Sequence, residues 1–344
     1  MSGRPYEVRP STEQQSWAIR GTGSFLPAEQ VSSEDLSRAM GLEPEWIERR
    51  TGIRRRHVAA AGEAASDLAA GAARRAMDAG GLRPEDIGLI VLGTSTPDEL
   101  GPSTACRVQA ALGAWNAAAF DVAAACTGFV YGLQAAVGWL ATQRGGSPYA
   151  LVIGVEVYSK FLDPGDRGTR ALFGDGAAAA VVGAVPAPYG IGTLTLGSDG
   201  SRAGDVLIPA GGSRIPAGPA SLAAGGHTIR MDGRAVRDFI TAVFPRLVAE
   251  ATEIAGVKPS DLALVVPHQP NPRLVASLAP EAGLDPAQLV IAGHDVGNIG
   301  AASLPYALDH AVRTRGIEPG ELVLLAGFGA GLTWGHTVIT WPPG

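Results

Sequence analysis

Three stretches of this chain occur twice, in the same order, and nothing else in the sequence restricts its fold as strongly. GLRPEDIGLIVLGTSTP (residues 81–97) resembles GVKPSDLALVVPHQP (256–270), FDVAAACTGFVYGL (120–133) resembles HDVGNIGAASLPYAL (294–308), and RGGSPYALVIGVEVYS (144–159) resembles RGIEPGELVLLAGFGAG (315–331). The second copies begin 175, 174 and 171 positions after the first, so the matches are collinear. Shared strand composition could explain one pair, but hardly three in order, and the pattern indicates a duplicated unit. The predicted division is a flexible leader over residues 1–16, a first half over 17–185 and a second half over 186–344.

Each copy reads as α/β. LIVLG, YALVIG, LALVVP, QLVIAG and LVLLAG are continuous apolar runs of the kind found in strands buried on both faces. FGDGAAAAVVGA (173–184) reads as a tight turn entering a further buried strand. SDLAAGAARRAMDAGG (66–81) and RAVRDFITAVFPRLVAEATEIAG (234–256) carry helical spacing between them. Two such units packed together give a layered α-β-α-β-α body. With 46% hydrophobic and 17% charged residues, the chain can fill that body and bury a subunit interface as well.

The same composition closes off other classes. A net charge of −6 argues against a general nucleic-acid binder. No apolar run reaches the roughly 18 residues needed to span a bilayer. The first residues lack the apolar core of a signal peptide, and two cysteines fit free thiols in a reducing cytoplasm. No cluster has zinc-ligand spacing, and no phosphate-binding P-loop is present. AGFGAGLTWG (326–335) lacks the GxGxxG spacing of a dinucleotide site and leads into strand-like HTVITW. Its glycines suit backbone N–H groups aimed at a developing oxyanion.

Function in parallel α/β sheets gathers beyond the carboxyl ends of strands. Three residues stand there. Cys126 ends a strand, and Thr127-Gly128 open an amphipathic helix whose positive end favours thiolate. The alternative is a small buried hydrophobe. His268 ends LALVVP and precedes the turn Gln269-Pro270-Asn271-Pro272, and His294 is its rival at a similar strand end. His57 follows Arg54-Arg55-Arg56 and belongs on a solvated surface. Asn298 lies among glycines in DVGNIGAAS, either as a turn asparagine or as a group facing a substrate. Because Cys126 and the Asn298 turn occupy equivalent places in the two copies, a pseudo-twofold would bring them to one pocket. His268 would enter from the neighbouring strand, giving a nucleophile with two polarising partners. Arg49, Arg50, Arg54, Arg55 and Arg56 around Trp46 form either a solvated face or the seat of a phosphate-bearing cofactor.

From IRGTGSFLP (19–27) to its end, the chain resembles the β-ketoacyl-ACP synthase III family of the thiolase superfamily. The resemblance is carried by EWIERRTGIRRRH (45–57), DVAAACTGF (121–129), DPGDRGT (163–169), FGDGAAAA (173–180), VPHQPN (266–271), GNIGAAS (297–303) and GFGAGLTWG (327–335). It implies a thiolase fold, a homodimer and a Cys126–His268–Asn298 triad. Cys126 would accept an acyl group from a CoA or carrier-protein thioester. His268 and Asn298 would hold a malonyl thioester carbonyl while CO2 leaves, and the carbanion would attack the acyl-cysteine. The backbone N–H groups of Cys126 and Ala330 would form the oxyanion hole. Trp46 and Arg167 would flank the CoA adenine, Arg50 would lie near its phosphates, Asn271 would contact pantetheine, and Phe328 would bind substrate. The resemblance implies no permanently bound cofactor and no metal.

The departures are specific. Gly101 stands where the best-known bacterial members carry a phenylalanine closing the acyl pocket across the dimer, leaving room for a branched or aromatic group. Arg234 replaces an asparagine contacting pantetheine, and Arg237-Asp238 replaces a phenylalanine–lysine pair. The helix that offers lysines to a carrier protein reads PRLVASLAPEAG (272–283), keeping Arg273 but carrying Pro280 and Glu281. Pro270 replaces an alanine and cannot donate a backbone hydrogen bond. Decarboxylative condensation that primes fatty-acid or polyketide synthesis is the leading expectation. Its rivals are an acyltransferase moving a bulky acyl group to a thiol, hydroxyl or amine without CO2 loss, and a catalytically silent partner subunit, against which Cys126 argues.

Overall fold

The alanine-rich strand Asp175–Pro186 explains how the first half is built. Its residues Ala177 to Ala180 are fully buried, and their small side chains let layers close over both faces of one sheet. The computed structural model describes residues 15–143 and 145–344. In that sheet, β1 (Gln15–Phe25), β2 (Ile87–Gly93), β3 (Ala118–Val122), β4 (Tyr149–Val157) and β5 (Asp175–Pro186) run in the order β1-β5-β4-β2-β3. β2 pairs parallel with β3 and β4, whereas β5 is antiparallel to β1 and β4.

A second sheet holds β6 (Gly190–Ile191), β7 (Thr195–Ser198), β8 (Leu264–Pro267), β9 (Leu322–Gly329) and β10 (Thr333–Thr340). Its order is β8-β9-β10-β6, with β7 also on β10. Helix α1 (Ala65–Ala79) covers the outer face of the first sheet. Helices α2 (Gly128–Thr142) and α4 (Ser303–Thr314) form a middle layer, where Phe129, Leu133, Leu304 and Leu308 meet Val91, Val152, Val266 and Leu325. Helix α3 (Gly233–Ala255) covers the outer face of the second sheet through Phe244, Leu247 and Val248. The result is the five-layered α-β-α-β-α body of the thiolase fold.

Two expectations need correction. The leader expected over 1–16 falls mostly outside the described residues, but Gln15 and Ser16 pair with Pro186 and Val185 and belong to β1. QLVIAG (288–293) is not a strand. It makes a single bridge, Val265 to Leu289, and the Gln269 side chain then replaces a ladder: its Nε2 donates to the Val290 carbonyl (3.0 Å) and its Oε1 accepts from the Ala292 N–H (3.1 Å). A buried amide side chain satisfies the backbone as well as a neighbouring strand does.

Candidate active site

The turn that carries Cys126 begins at the edge of the first sheet. After β3, Ala125–Thr127 form one 3-10 turn and α2 starts at Gly128. Ala125 has φ +46°, a left-handed conformation that a residue with a Cβ adopts at a cost of order 1 kcal/mol. The Thr127 hydroxyl fixes the turn through the Ala124 carbonyl (2.5 Å) and Thr333 Oγ1 (2.7 Å). β9 ends directly against it. A Cβ on Gly329 would lie 2.7 Å from the Cβ of Cys126, so glycine is required there.

The thiol does not follow the helix-dipole expectation. The residue is half-buried and borders the cavity, yet protein closely surrounds the sulfur, and this desolvation pushes its pKa up to about 12. The negative charge of Glu156 adds to the rise. Hydrogen bonds from the backbone N–H groups of Cys126 and Ala330 act the other way but are outweighed. A resting thiol, rather than a thiolate, occupies the site.

His268 follows β8, with its backbone N–H on the Ala326 carbonyl (2.9 Å), and packs edge-on against Phe328 at 5.6 Å between centroids. It is 2% exposed, and burial pushes its pKa down to about 3, so the imidazole is neutral. Its Nδ1 is enclosed without a partner among the described residues. Asn298 is held from both sides: its N–H donates to the Leu172 carbonyl (2.8 Å), and its carbonyl accepts from Gly174 (3.0 Å). Its Oδ1 accepts the Gly300 N–H (2.9 Å), which leaves the amide NH2 as the free end of the side chain.

Cys126, His268, Asn298 and Ala330 line one cavity of about 160 Å³. Its remaining wall is largely apolar and includes Phe173, Met231, Phe239 and Phe328. An adjoining groove of about 560 Å³ shares Asn298 and Pro270 with it and is lined further by Arg50, Arg237, Asn271 and Arg273. Arg50 stacks on Trp46 at 4.6 Å. Asn271 caps the helix Pro272–Leu278 through the Leu274 N–H (2.8 Å). Phe328 is fully buried and walls the cavity, not the groove.

Other candidates lie elsewhere. Arg167 is exposed at the start of the short helix Arg167–Arg170, outside the linings of both cavity and groove. Gly101 is exposed with open space where a Cβ would stand, and within one chain it does not border the cavity. His294, the rival histidine, is occupied structurally, with its Nδ1 on the Gly52 carbonyl (2.8 Å). Ser95 and Tyr158, which were not expected there, also line the cavity, and the buried Glu156 holds the Ser95 N–H. Their one visible signal was an acid inside the otherwise apolar strand YALVIGVEV.

Family models for 3-oxoacyl-[acyl-carrier-protein] synthase III match residues 120–200, and residues 252–341 for its C-terminal part. A β-ketoacyl-[acyl-carrier-protein] synthase III of Caldanaerobacter subterraneus subsp. tengcongensis is 43% identical, covering 94% of this chain and 97% of the relative. The acetoacetyl CoA synthase NphT7 of Streptomyces sp. (strain CL190) is 44% identical over 94% of this chain and 98% of its own length. Among solved structures, FabH from Pseudomonas aeruginosa PAO1 matches with TM-score 0.87 and 39% identity, covering 95% of this chain and 99% of that one. The priming β-ketosynthase of the R1128 polyketide pathway matches with TM-score 0.87 and 33% identity, over 98% and 99% of the two chains.

Proposed function

Since this chain belongs to the 3-oxoacyl-[acyl-carrier-protein] synthase III family, and is therefore an acyl-transferring condensing enzyme, we propose that Cys126 receives the acyl primer and that His268 and Asn298 run the condensation. The observation that carries this is the convergence of all three on one cavity, from three separate segments of the chain.

In the first half-reaction the Cys126 sulfur attacks the acyl thioester carbonyl, a carbon–sulfur bond forms, and the donor thiolate leaves. The backbone N–H groups of Cys126 and Ala330, two residues that border the cavity, take the negative charge that develops on the carbonyl oxygen. In the second, a malonyl thioester places its carbonyl between the His268 imidazole and the Asn298 NH2. Loss of CO2 leaves an enolate, and two neutral donors in a dry pocket stabilise it without the cost of burying a cation. The enolate carbon then attacks the acyl carbon and releases the cysteine.

Substrate enters as a CoA or phosphopantetheine thioester, and no resident cofactor is needed. Arg50, Arg237 and Arg273 give the groove the positive charge that suits the phosphates of such a carrier. The chain also forms a homodimer in this reading. β3 is an unpaired sheet edge with Phe120 40% exposed, and Trp115 and Leu100 are 72% and 85% exposed. Unpaired edges with large exposed apolar groups are covered in stable proteins. A second chain there would also bring Gly101 toward the partner's cavity. Among the described residues no helix is long and apolar enough to cross a membrane.

Incubation with a panel of acyl-CoA donors and labelled malonyl thioester tests the reading. An acyl adduct on Cys126 by intact mass, followed by enzyme-dependent CO2 release, is expected. Acyl transfer to an acceptor with malonyl untouched would sink the condensation in favour of simple acyl transfer.

A further inference from the structure

The two ends of this site differ in electrical character. The groove is lined by Arg50, Arg237 and Arg273 and by no carboxylate. It shares Met231, Val236, Ile240, Pro270 and Asn298 with the cavity. A carrier arm entering from the groove therefore reaches Cys126 past those residues, and its acyl group lies in the part of the cavity beyond them. That far end is walled by the buried Tyr158, Phe173 and Ile229, with Ser95 beside them, and no lysine or arginine borders it.

A carboxyl group stands directly behind that wall. Glu156, near the end of β4, is 0% exposed. Its two oxygens accept from the Ser95 N–H (3.0 and 3.1 Å), and Oε2 accepts the Thr96 hydroxyl (2.8 Å). Its Cγ and the Tyr158 hydroxyl oxygen each lie 2.6 Å from the point where a Cβ on Gly300 would stand, so the side chain abuts a second residue of the wall. The other elements around it bring no cation. The loop after β2 adds the Thr94 hydroxyl (3.5 Å), and the turn after Asn298 adds only the Ala301 N–H (3.4 Å). Asp175, on the neighbouring strand, is turned to Ala59 and Ser159. On the cavity side the titratable groups are Tyr158 and Cys126. Among the described residues no lysine, arginine or histidine bonds to Glu156. Burial lifts its carboxyl up to about 7, which leaves it ionised at pH 8.

Resting on Cys126 as the acyl acceptor, we propose that Glu156 is a specificity-determining residue: its charge behind the wall keeps acyl groups that carry their own carboxylate off Cys126 and admits uncharged ones. An anionic acyl group in the far end would lose its water, find no cation and face a like charge across one layer of packing. An uncharged branched or aromatic group meets none of these costs. The consequence is an order of events. A malonyl thioester offers Cys126 the same reactive carbonyl as a primer does, yet its carboxylate bars it from the far end. Once an uncharged acyl group fills that end, it stands between Glu156 and the malonyl carboxylate, and the second half-reaction proceeds. Glu156 touches no substrate and acts through its field alone.

Iodoacetate and iodoacetamide, nearly one shape and different in charge, test this directly. Alkylation of Cys126 is followed at pH 8 by peptide mass, which separates it from the exposed Cys106, in wild type, Glu156→Gln and Glu156→Asp. In each case the sulfur loses its proton to buffer, bonds the methylene carbon and displaces iodide. The ratio of the two rates cancels the thiol's own reactivity and reads the charge at the cavity. Glu156→Gln is expected to raise the iodoacetate-to-iodoacetamide ratio ~10-fold. Glu156→Asp, which keeps the charge, should hold the ratio within about threefold of wild type and guards against a folding defect in the first variant. Acyl loading by intact mass should follow: relative to butyryl-CoA, succinyl-CoA should load Glu156→Gln ~10-fold faster than wild type. A ratio unchanged by Glu156→Gln, or lost equally in both variants, overturns the proposal alone. No acyl adduct on wild-type Cys126 from any donor would overturn the nucleophile assignment, and this inference with it.

Discussion

The turn that presents Cys126 and the turn that follows Asn298 are built alike and used differently. Each is a single 3-10 turn, Ala125–Thr127 or Gly300–Ala302, leading into a middle-layer helix. Each opens on a left-handed residue, Ala125 at φ +46° and Gly300 at φ +52°. The first hangs from a paired strand, β3, and offers its sulfur at the second position. The second has no strand before it, and its backbone is fastened to Leu172 and Gly174 of the first half. Freed from a ladder, that segment places a side-chain amide in the cavity two residues before the turn. In the proposed roles one turn supplies the nucleophile and the other a donor, and the layered fold brings both to one cavity.

The hardest break of this comparison is Cys126→Ala. It should lower acyl loading below detection in intact mass, while malonyl thioester still loses CO2 through His268 and Asn298. Retained loading at another residue would remove Cys126 from the first turn's role. Asn298→Ala should do the reverse: loading within about threefold of wild type, and condensation down 100- to 1000-fold, as for loss of one oxyanion donor. Full-rate condensation in that variant, measured by CO2 release, would mean that the second turn is only structural.

Much of this asymmetry was legible in the chain. The repeat places Cys126 and the Asn298 turn at equivalent points, and four apolar runs became β2, β4, β8 and β9. QLVIAG misled because apolarity reports burial, and the Gln269 amide can replace a strand partner at no cost to burial. The thiolate expectation failed because helix polarity is visible in sequence, whereas the protein enclosing the sulfur is not. Glu156 stood out only as an acid in an apolar run. Whether it meets a cation or hydroxyls depends on Ser95, Thr96 and Ala301, the first two about 60 positions before it and the last 145 after it.

The left-handed residues sharpen the comparison energetically. A Cβ on Gly300 would lie 2.6 Å from Glu156 Cγ and from the Tyr158 hydroxyl oxygen, at a φ that side chains avoid. Gly300→Ala should therefore destabilise by about 2–3 kcal/mol, read as a lower midpoint in urea. Ala125→Gly at the matching place should shift stability by no more than about 1 kcal/mol, because removing strain and loosening the unfolded chain oppose each other. Equal and opposite large shifts would show that the two turns are not equivalent in backbone strain.

The smallest expected effect is a rate that does not move with pH. Burial holds His268 neutral with a pKa of about 3, far below the ordinary imidazole value of 6.5. CO2 release by the fully acylated enzyme should therefore stay flat from pH 8 down to pH 5.5, with no loss near 6.5. Stability behaves otherwise. Between 6.5 and 3 the unfolded imidazole binds a proton that the native one refuses, so this histidine's contribution is present above pH 6.5 and declines as pH falls through that window. Glu156 has the opposite sign: its native carboxyl keeps a proton up to about pH 7 that the unfolded one releases near 4.5, so its contribution is lost as pH rises through that range. A decarboxylation rate that halves at pH 6.5 would place a charged imidazole in the cavity and overturn the two-neutral-donor reading of the second half-reaction.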